Sequence, residues 1–233
     1  RNNQKMFKNK TYLSIDWLFF KKIIKPAILF GISSLLYDFS IRMNILLLGL
    51  LDSEASAGFY SAAWQILSAG LIFISSFSMS MFPNTARNIF NPIYRKNMLI
   101  GLVKLSIILT IICFIGSYIS YYMIELLYSK EYLAAAVIFN IVMWFIPIRI
   151  LSLWGHQILE ASNYLKLRIV IFIVPILINL ILGFIWIPEY SYKGAAWATL
   201  VSNLILLLLA FVSAIIIINK DYRFKDEENI KTN

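Results

Sequence analysis

Three ionisable side chains sit inside otherwise apolar stretches of this sequence: Asp38, Arg42 and Arg149. A charge facing lipid at the centre of a membrane span costs roughly 2.5–3.5 kcal/mol on insertion scales, so each is expected to face a protein interior or a wet cavity. A guanidinium there grips phosphate or carboxylate oxygens in pairs. Asp38 and Arg42 are one helical turn apart, near the middle of their stretch. Two readings are open for them: a self-neutralising i, i+4 pair that tolerates burial, or part of a substrate or ion path. Arg149 has no acidic neighbour in its own predicted helix, and Ser152 and His156 fall on its face, so a polar stripe runs from it toward one membrane surface. Pairing of Arg149 with Asp38 across a helix bundle is the structural alternative.

The elements holding these residues follow from composition. Of 233 residues, 60% are hydrophobic, 15% aromatic and 14% charged, with mean hydropathy +0.76. A soluble domain carries about a quarter of its residues as charges, so the exterior of this chain is expected to face lipid. Helices of about 20 apolar residues cross the hydrocarbon core. Six stretches qualify, about Pro26–Leu50, Ala62–Met81, Leu99–Tyr121, Ala134–Ile158, Leu167–Ile187 and Gly194–Ile218. Turn or charged residues punctuate them at Asp52-Ser53-Glu54, Pro83-Asn84, Ser129-Lys130-Glu131 and Pro188-Glu189. The runs are continuously apolar, without the alternation of a barrel wall. The expected fold class is an all-α membrane protein.

Orientation follows from the cations. The segment before the first span, the second and fourth connections and the tail together carry sixteen Lys and Arg, among them Arg95 and Arg168. The other three connections carry only Lys130 and Lys193. This alternation places both termini in the cytoplasm, in a cell inner (cytoplasmic) membrane protein. Three regions result: 1–25, a basic cytoplasmic segment; 26–218, the transmembrane helices; 219–233, a charged tail read as disordered. Within the first, Leu13, Trp17, Phe20 and Ile24 form an apolar stripe with Ser14 as N-cap. It reads either as an interfacial helix or as an extension of the first span. The chain begins with Arg1 rather than Met, which suggests an excerpt from a longer protein.

Several functions are disfavoured. The formal charge of +9 sits between apolar runs and in the tails, where lipid headgroups meet it, and no basic-aromatic surface suggests nucleic acid. One histidine and one cysteine, Cys113, supply no metal site, and no glycine loop for nucleotide phosphate is present. No cofactor is expected. Gly31-Ile32-Ser33-Ser34 lacks the second glycine of an intramembrane serine-protease motif. Among weaker polar signals, Ser61, Gln65, Ser68 and Ser75 form a stripe read as a close-packing face. Pro175, Asn179 and Gly183 share a face read first as a kink or hinge. Asn140 and Asn203 are ambiguous, and Lys104 is expected to snorkel.

The connecting segments resemble a known family. Residues 42–64, Arg-Met-Asn-Ile-Leu-Leu-Leu-Gly-Leu-Leu-Asp-Ser-Glu-Ala-Ser-Ala-Gly-Phe-Tyr-Ser-Ala-Ala-Trp, look like the seventh-to-eighth helix passage of Wzx-type polysaccharide (O-antigen) flippases, in the multidrug/oligosaccharidyl-lipid/polysaccharide exporter superfamily. Phe82-Pro83, Leu127–Ala135, Gln157–Asn163 and Ile187–Thr199 resemble later signatures in the same order, over about residues 13–218. Asn44 stands where that family often has an acid. The resemblance implies the C-terminal six-helix lobe of a two-lobe exporter of about twelve helices, with a missing N-terminal lobe as partner. It implies transport of a polyprenyl-pyrophosphate-linked oligosaccharide by alternating access, without enzymatic activity. Arg42 and Arg149 would meet the anionic headgroup or acidic sugars, Asp38 would hold Arg42 or carry a proton, and Ser152 and His156 would extend the binding stripe. The alternatives are an exporter of drugs or of a peptidoglycan precursor and, in a different class, a membrane-embedded glycan polymerase or ligase.

Overall fold

A computed structural model describes residues 17–232, and among them it is helical throughout with no strand. The helices are α1 (Trp17–Leu51), α2 (Glu54–Asn88), α3 (Pro92–Tyr128), α4 (Leu133–Val142), α5 (Phe145–Ala161) and α6 (Leu165–Thr232), with a 3-10 turn at Lys130–Tyr132. Five helical segments, two of them interrupted, are long and apolar enough to cross a membrane.

The sequence sets several of the boundaries through local chemistry. Ser53 caps α2 by accepting from the Ser56 amide, and Glu54 follows in the first turn, where a negative charge meets the positive end of the helix dipole. Asn91 caps α3 through the amides of Ile93 and Tyr94, with Pro92 at the first helical position, where its missing N–H is no loss. Asn163 turns the chain from α5 into α6 at φ 60, a conformation that asparagine tolerates.

Pro83 does not punctuate as expected, whereas the chain does break just after Pro188-Glu189. Pro83 lies inside α2, which continues to Asn88, and Pro175 and Pro188 lie inside α6. In a bundle, neighbouring groups absorb the single lost hydrogen bond. The non-helical residue in α6 is Ser191, at φ 54 and ψ −138, so Pro175 keeps helical dihedrals and is not the kink. A straight helix of 68 residues would be about 100 Å long, three times the hydrocarbon thickness. α6 instead doubles back. Asn44 bonds both Asn179 and Thr199, and a Cβ on Gly194 would come within 2.2 Å of the Trp186 carbonyl oxygen.

The fourth apolar stretch is broken between α4 and α5, just before Pro147. That proline cannot donate to the carbonyl of Met143. The Cys113 thiol, 3.3 Å away on α3, and the Ile146 amide donate to it instead. The lone cysteine therefore closes a backbone defect.

The stretch from Trp17 is continuous with the first span, in the form of a helical extension; Leu13 and Ser14 lie outside the described residues. At the other end α6 continues to Thr232, where the sequence suggested a disordered tail. Lys104 is exposed.

Two buried apolar clusters stack along the bundle. One gathers Leu48, Tyr60, Trp64, Ile138 and Phe145 toward the α1–α2 turn; the other gathers Leu102, Trp154, Ile158, Phe172 and Ile217 toward the α5–α6 turn. Ile107, Ile111, Phe114, Ile115 and Tyr118 on α3 are exposed, as are Val170, Leu177, Leu208 and Val212 on α6. A continuous apolar exterior of this kind suits lipid rather than water.

Candidate functional site

Between α1, α2, α5 and the start of α6 lies a cavity of about 1330 Å³. Its lining runs from Ile23 to Ile45 on α1 and from Ser61 to Phe82 on α2. At 1.5 Å per residue each wall is about 32 Å long, the thickness of the hydrocarbon core. The cavity therefore runs the depth that a membrane-crossing path requires.

Asp38, Arg42 and Arg149 all line this cavity, as their cost in lipid demands. Asp38 and Arg42 are exposed to it. Among the described residues the ion pairs within 4.0 Å do not include one between them, so they face the cavity as separate charges. Arg149 enters from α5, followed along the same wall by Leu153, Gln157 and Glu160.

Ser152 and His156 sit elsewhere. Ser152 is buried and donates to the Arg149 carbonyl at 2.7 Å. His156 is buried with its ring stacked on Phe172 of α6, centroids 5.0 Å apart, and neither ring nitrogen has a hydrogen-bond partner. Neither residue lines the cavity. The helical wheel places them near Arg149, but α6 packs over that edge of α5.

Two charged residues outside the expected site belong to it: Arg168, which the sequence reading counted among the connection cations, and Glu160, which it assigned no role. Arg168 donates to Glu160 (Nη2 to Oε1, 2.6 Å) and to Ser33 (Nη1 to Oγ, 3.0 Å). Its guanidinium lies over the rings of Phe30 and Phe172, 5.1 and 5.4 Å from their centroids. Both Glu160 and Arg168 line the cavity, at the end formed by the α5–α6 turn. Three arginines against two carboxylates leave the lining with a formal net charge of +1. Arg168 carried a usable signal: it stands only three residues into α6, eight beyond Glu160 across a tight turn.

The serine stripe of α2 is cavity wall rather than a packing face. Ser61, Gln65, Ser68, Ser75 and also Ser78 line it. Ser68 and Ser75 return their hydroxyl protons to carbonyls one turn back, which leaves the oxygen lone pairs available. Gln157 crosses from α5 to bond Ser78 at its carbonyl and hydroxyl, at 2.8 and 2.9 Å, and so fixes one edge of the wall.

Another polar group is structural. Asn44, fully buried, donates to Thr199 at 2.6 Å and to Asn179 at 3.3 Å, and the Tyr60 hydroxyl lies 2.8 Å from Thr199. This node ties α1 and α2 to both limbs of α6. A Cβ on Gly183 would come within 2.8 Å of Leu47. The face carrying Asn179 and Gly183 is thus a helix contact rather than a hinge. Asn203 donates to the Thr199 carbonyl of its own helix.

Among the described residues no group of three or more His, Cys, Asp or Glu is placed to hold a metal ion. What the cavity offers is a long cleft with cations and hydroxyls along its walls, suited to recognising an anionic polar ligand. The chain matches no protein-family profile, no curated protein and no solved structure.

Proposed function

We propose that this chain is a six-span lobe of a two-lobe exporter that moves a polyprenyl-pyrophosphate-linked oligosaccharide from the inner to the outer leaflet. The observation that carries this reading is the cavity of membrane depth lined by Arg42, Arg149 and Arg168 among serines and glutamines. Guanidinium groups hold phosphate in pairs, hydroxyls suit sugars, and the lipid tail stays in the bilayer. The break in α6 at Ser191 supports reading its two limbs as separate crossings, six in all. With six crossings both ends lie on one side, which the cation asymmetry assigns to the cytoplasm. Short connections between the helices support transport over polymerisation or ligation, which need loops large enough to carry catalytic groups.

A drug exporter for cations is the weaker reading. Such a path needs several unneutralised carboxylates. Here, among the described residues, Glu160 is bound to Arg168, and Asp38 alone stands in the lining without an ion pair, against three arginines. An inside-negative potential also favours outward movement of an anion by about 2.3 kcal/mol per charge per 100 mV.

The test is Arg149→Ala in the complete transporter, read as surface display of the glycan in cells with normal protein level and insertion. Display should collapse. Arg149→Lys should recover only part, since lysine keeps the charge but loses the planar fork. Wild-type display in Arg149→Ala would remove the cationic cavity from the mechanism.

A further inference from the structure

The end of the cavity at the α5–α6 turn holds an arginine arranged in an unusual way for a structural ion pair. Arg168 is more than nine-tenths buried. One nitrogen is taken by Glu160, another by Ser33, and the remaining one, Nε, has no hydrogen-bond partner. The rings of Phe30 and Phe172 lie 5.1 and 5.4 Å from the guanidinium carbon and restrict its movement. Burial of a guanidinium with a donor unused is costly. The residue lines the cavity, with Nε itself enclosed beside the ion pair. The partner carboxylate is on the same wall, and Arg149 lies within electrostatic reach of it.

We propose that Arg168 is a phosphate-binding residue and that Glu160 is its resident occupant, displaced when a phosphate or pyrophosphate group arrives. A carboxylate and a phosphate present the same pair of acceptor oxygens to a guanidinium fork. Arg168 then keeps a partner in both states: Glu160 when the cavity is empty, the ligand's oxygens when it is filled. Nε is enclosed while Glu160 is in place; once the carboxylate has moved aside, a phosphate, with more acceptor oxygens, serves Nε as well as Nη2, while Ser33 stays on Nη1. Glu160, released, turns toward Arg149. Ser33 lies on α1, Glu160 on α5 and Arg168 on α6, so exchanging the occupant also loosens one tie between α5 and α6 at this end of the cavity. This inference rests on the transport reading only for the source of the phosphate; the site itself stands on the geometry.

The shared chemistry is a phosphate ester or anhydride, borne by a lipid headgroup or by a soluble molecule. The intact protein is placed in phosphatidylcholine nanodiscs and titrated with inorganic pyrophosphate by calorimetry. Glu160→Gln removes the competing charge but keeps the side-chain shape. It should tighten pyrophosphate binding about tenfold or more, the equivalent of one charge-assisted hydrogen bond. Glu160→Asp, which draws the carboxylate back by one methylene, should tighten it less. The double variant Glu160→Gln with Arg168→Gln is neutral and buries no stranded charge, and it should lose the binding. Thermal melting of each variant confirms that it is folded. Unchanged affinity in folded Glu160→Gln, or wild-type affinity in the folded double variant, overturns the proposal.

Polyprenyl pyrophosphate in the nanodisc separates the two sources. If it displaces inorganic pyrophosphate, the occupant is a lipid headgroup. If it does not, while the Glu160 dependence holds, the occupant is soluble. A Glu160-dependent site in a protein that exports no glycan would sink the flippase reading and leave this one standing. Export that depends on Arg149 with pyrophosphate binding indifferent to Glu160 and Arg168 would do the reverse.

Discussion

Gly155→Ala isolates how closely α5 and α6 must approach. A Cβ built on Gly155 lies 2.4 Å from the Ala210 carbonyl oxygen and 2.9 Å from the Ala210 Cβ, whereas ordinary contact begins at 3.4 Å. The obstacle is backbone on both sides, so the helices must separate by about 1 Å rather than a side chain turn aside. A radial gap of that size forfeits a quarter to a half of each dispersion contact of about 0.1–0.2 kcal/mol. The loss extends along the buried seam of Leu153, Trp154, Ile158, Leu206 and Ala214. Overpacking of this kind costs about 1–3 kcal/mol, against a gain of about 1 kcal/mol from alanine's helix propensity. The net expectation is a loss of up to about 2 kcal/mol, a melting point lower by up to several degrees for a chain of this size. Gly58→Ala makes the opposite case. Nothing lies within 4 Å of its Cβ position, so only the propensity term acts and the variant should melt at or above the parent. Melting of both in the same detergent, followed by circular dichroism, is the assay. A Gly155→Ala protein as stable as Gly58→Ala would refute the close packing of α5 on α6.

Two further outcomes are expected. Asn44→Ala should lower stability by about 1–2 kcal/mol, because Asn179 loses its donor inside the bundle. Asn203→Ala, whose bond is local to its own helix, should cost under about 0.5 kcal/mol, and equal losses would dissolve the node. For orientation, Lys130→Cys should react with an impermeant thiol reagent applied outside intact cells and Phe90→Cys should not. Both sites are exposed and native Cys113 is buried, so the reverse pattern would invert the orientation.

Much of the architecture is legible in the sequence because lipid makes one demand of every residue in a span. Apolar runs mark the helices, and charges too costly for lipid mark the cavity, which is how Asp38, Arg42 and Arg149 stand out together. What is not legible depends on neighbours. A helical wheel puts His156 beside Arg149, but only the packed bundle reveals that Phe172 covers it. The serines of α2 have the same composition whether they pack against a helix or line a void, and they line a void. Arg168 reads as an interfacial cation by its position, because the turn that folds it back onto Glu160 depends on an unusual backbone angle at Asn163. Proline, too, misleads near a helix end: Pro83 signals a stop that α2 runs past to Asn88.

The distribution of polar groups separates what holds this bundle together from what faces the ligand. Asn44, Asn179, Thr199 and Tyr60 satisfy one another with neutral groups inside the bundle, where an unpaired charge would be most costly. The charges are kept for the cavity, and they differ along its length. At the α5–α6 end Arg168 and Glu160 neutralise each other at 2.6 Å, so that end rests without a counter-ion. Farther along, Asp38 and Arg42 stand in the cavity without an ion pair between them. On the proposed transport reading, an anion entering at the neutralised end would meet the Glu160–Arg168 pair first and the arginines of the longer wall afterwards. Each transfer would then replace one charge-assisted contact by another of similar strength. Such a gradient would avoid a single deep well, from which an anion is released slowly.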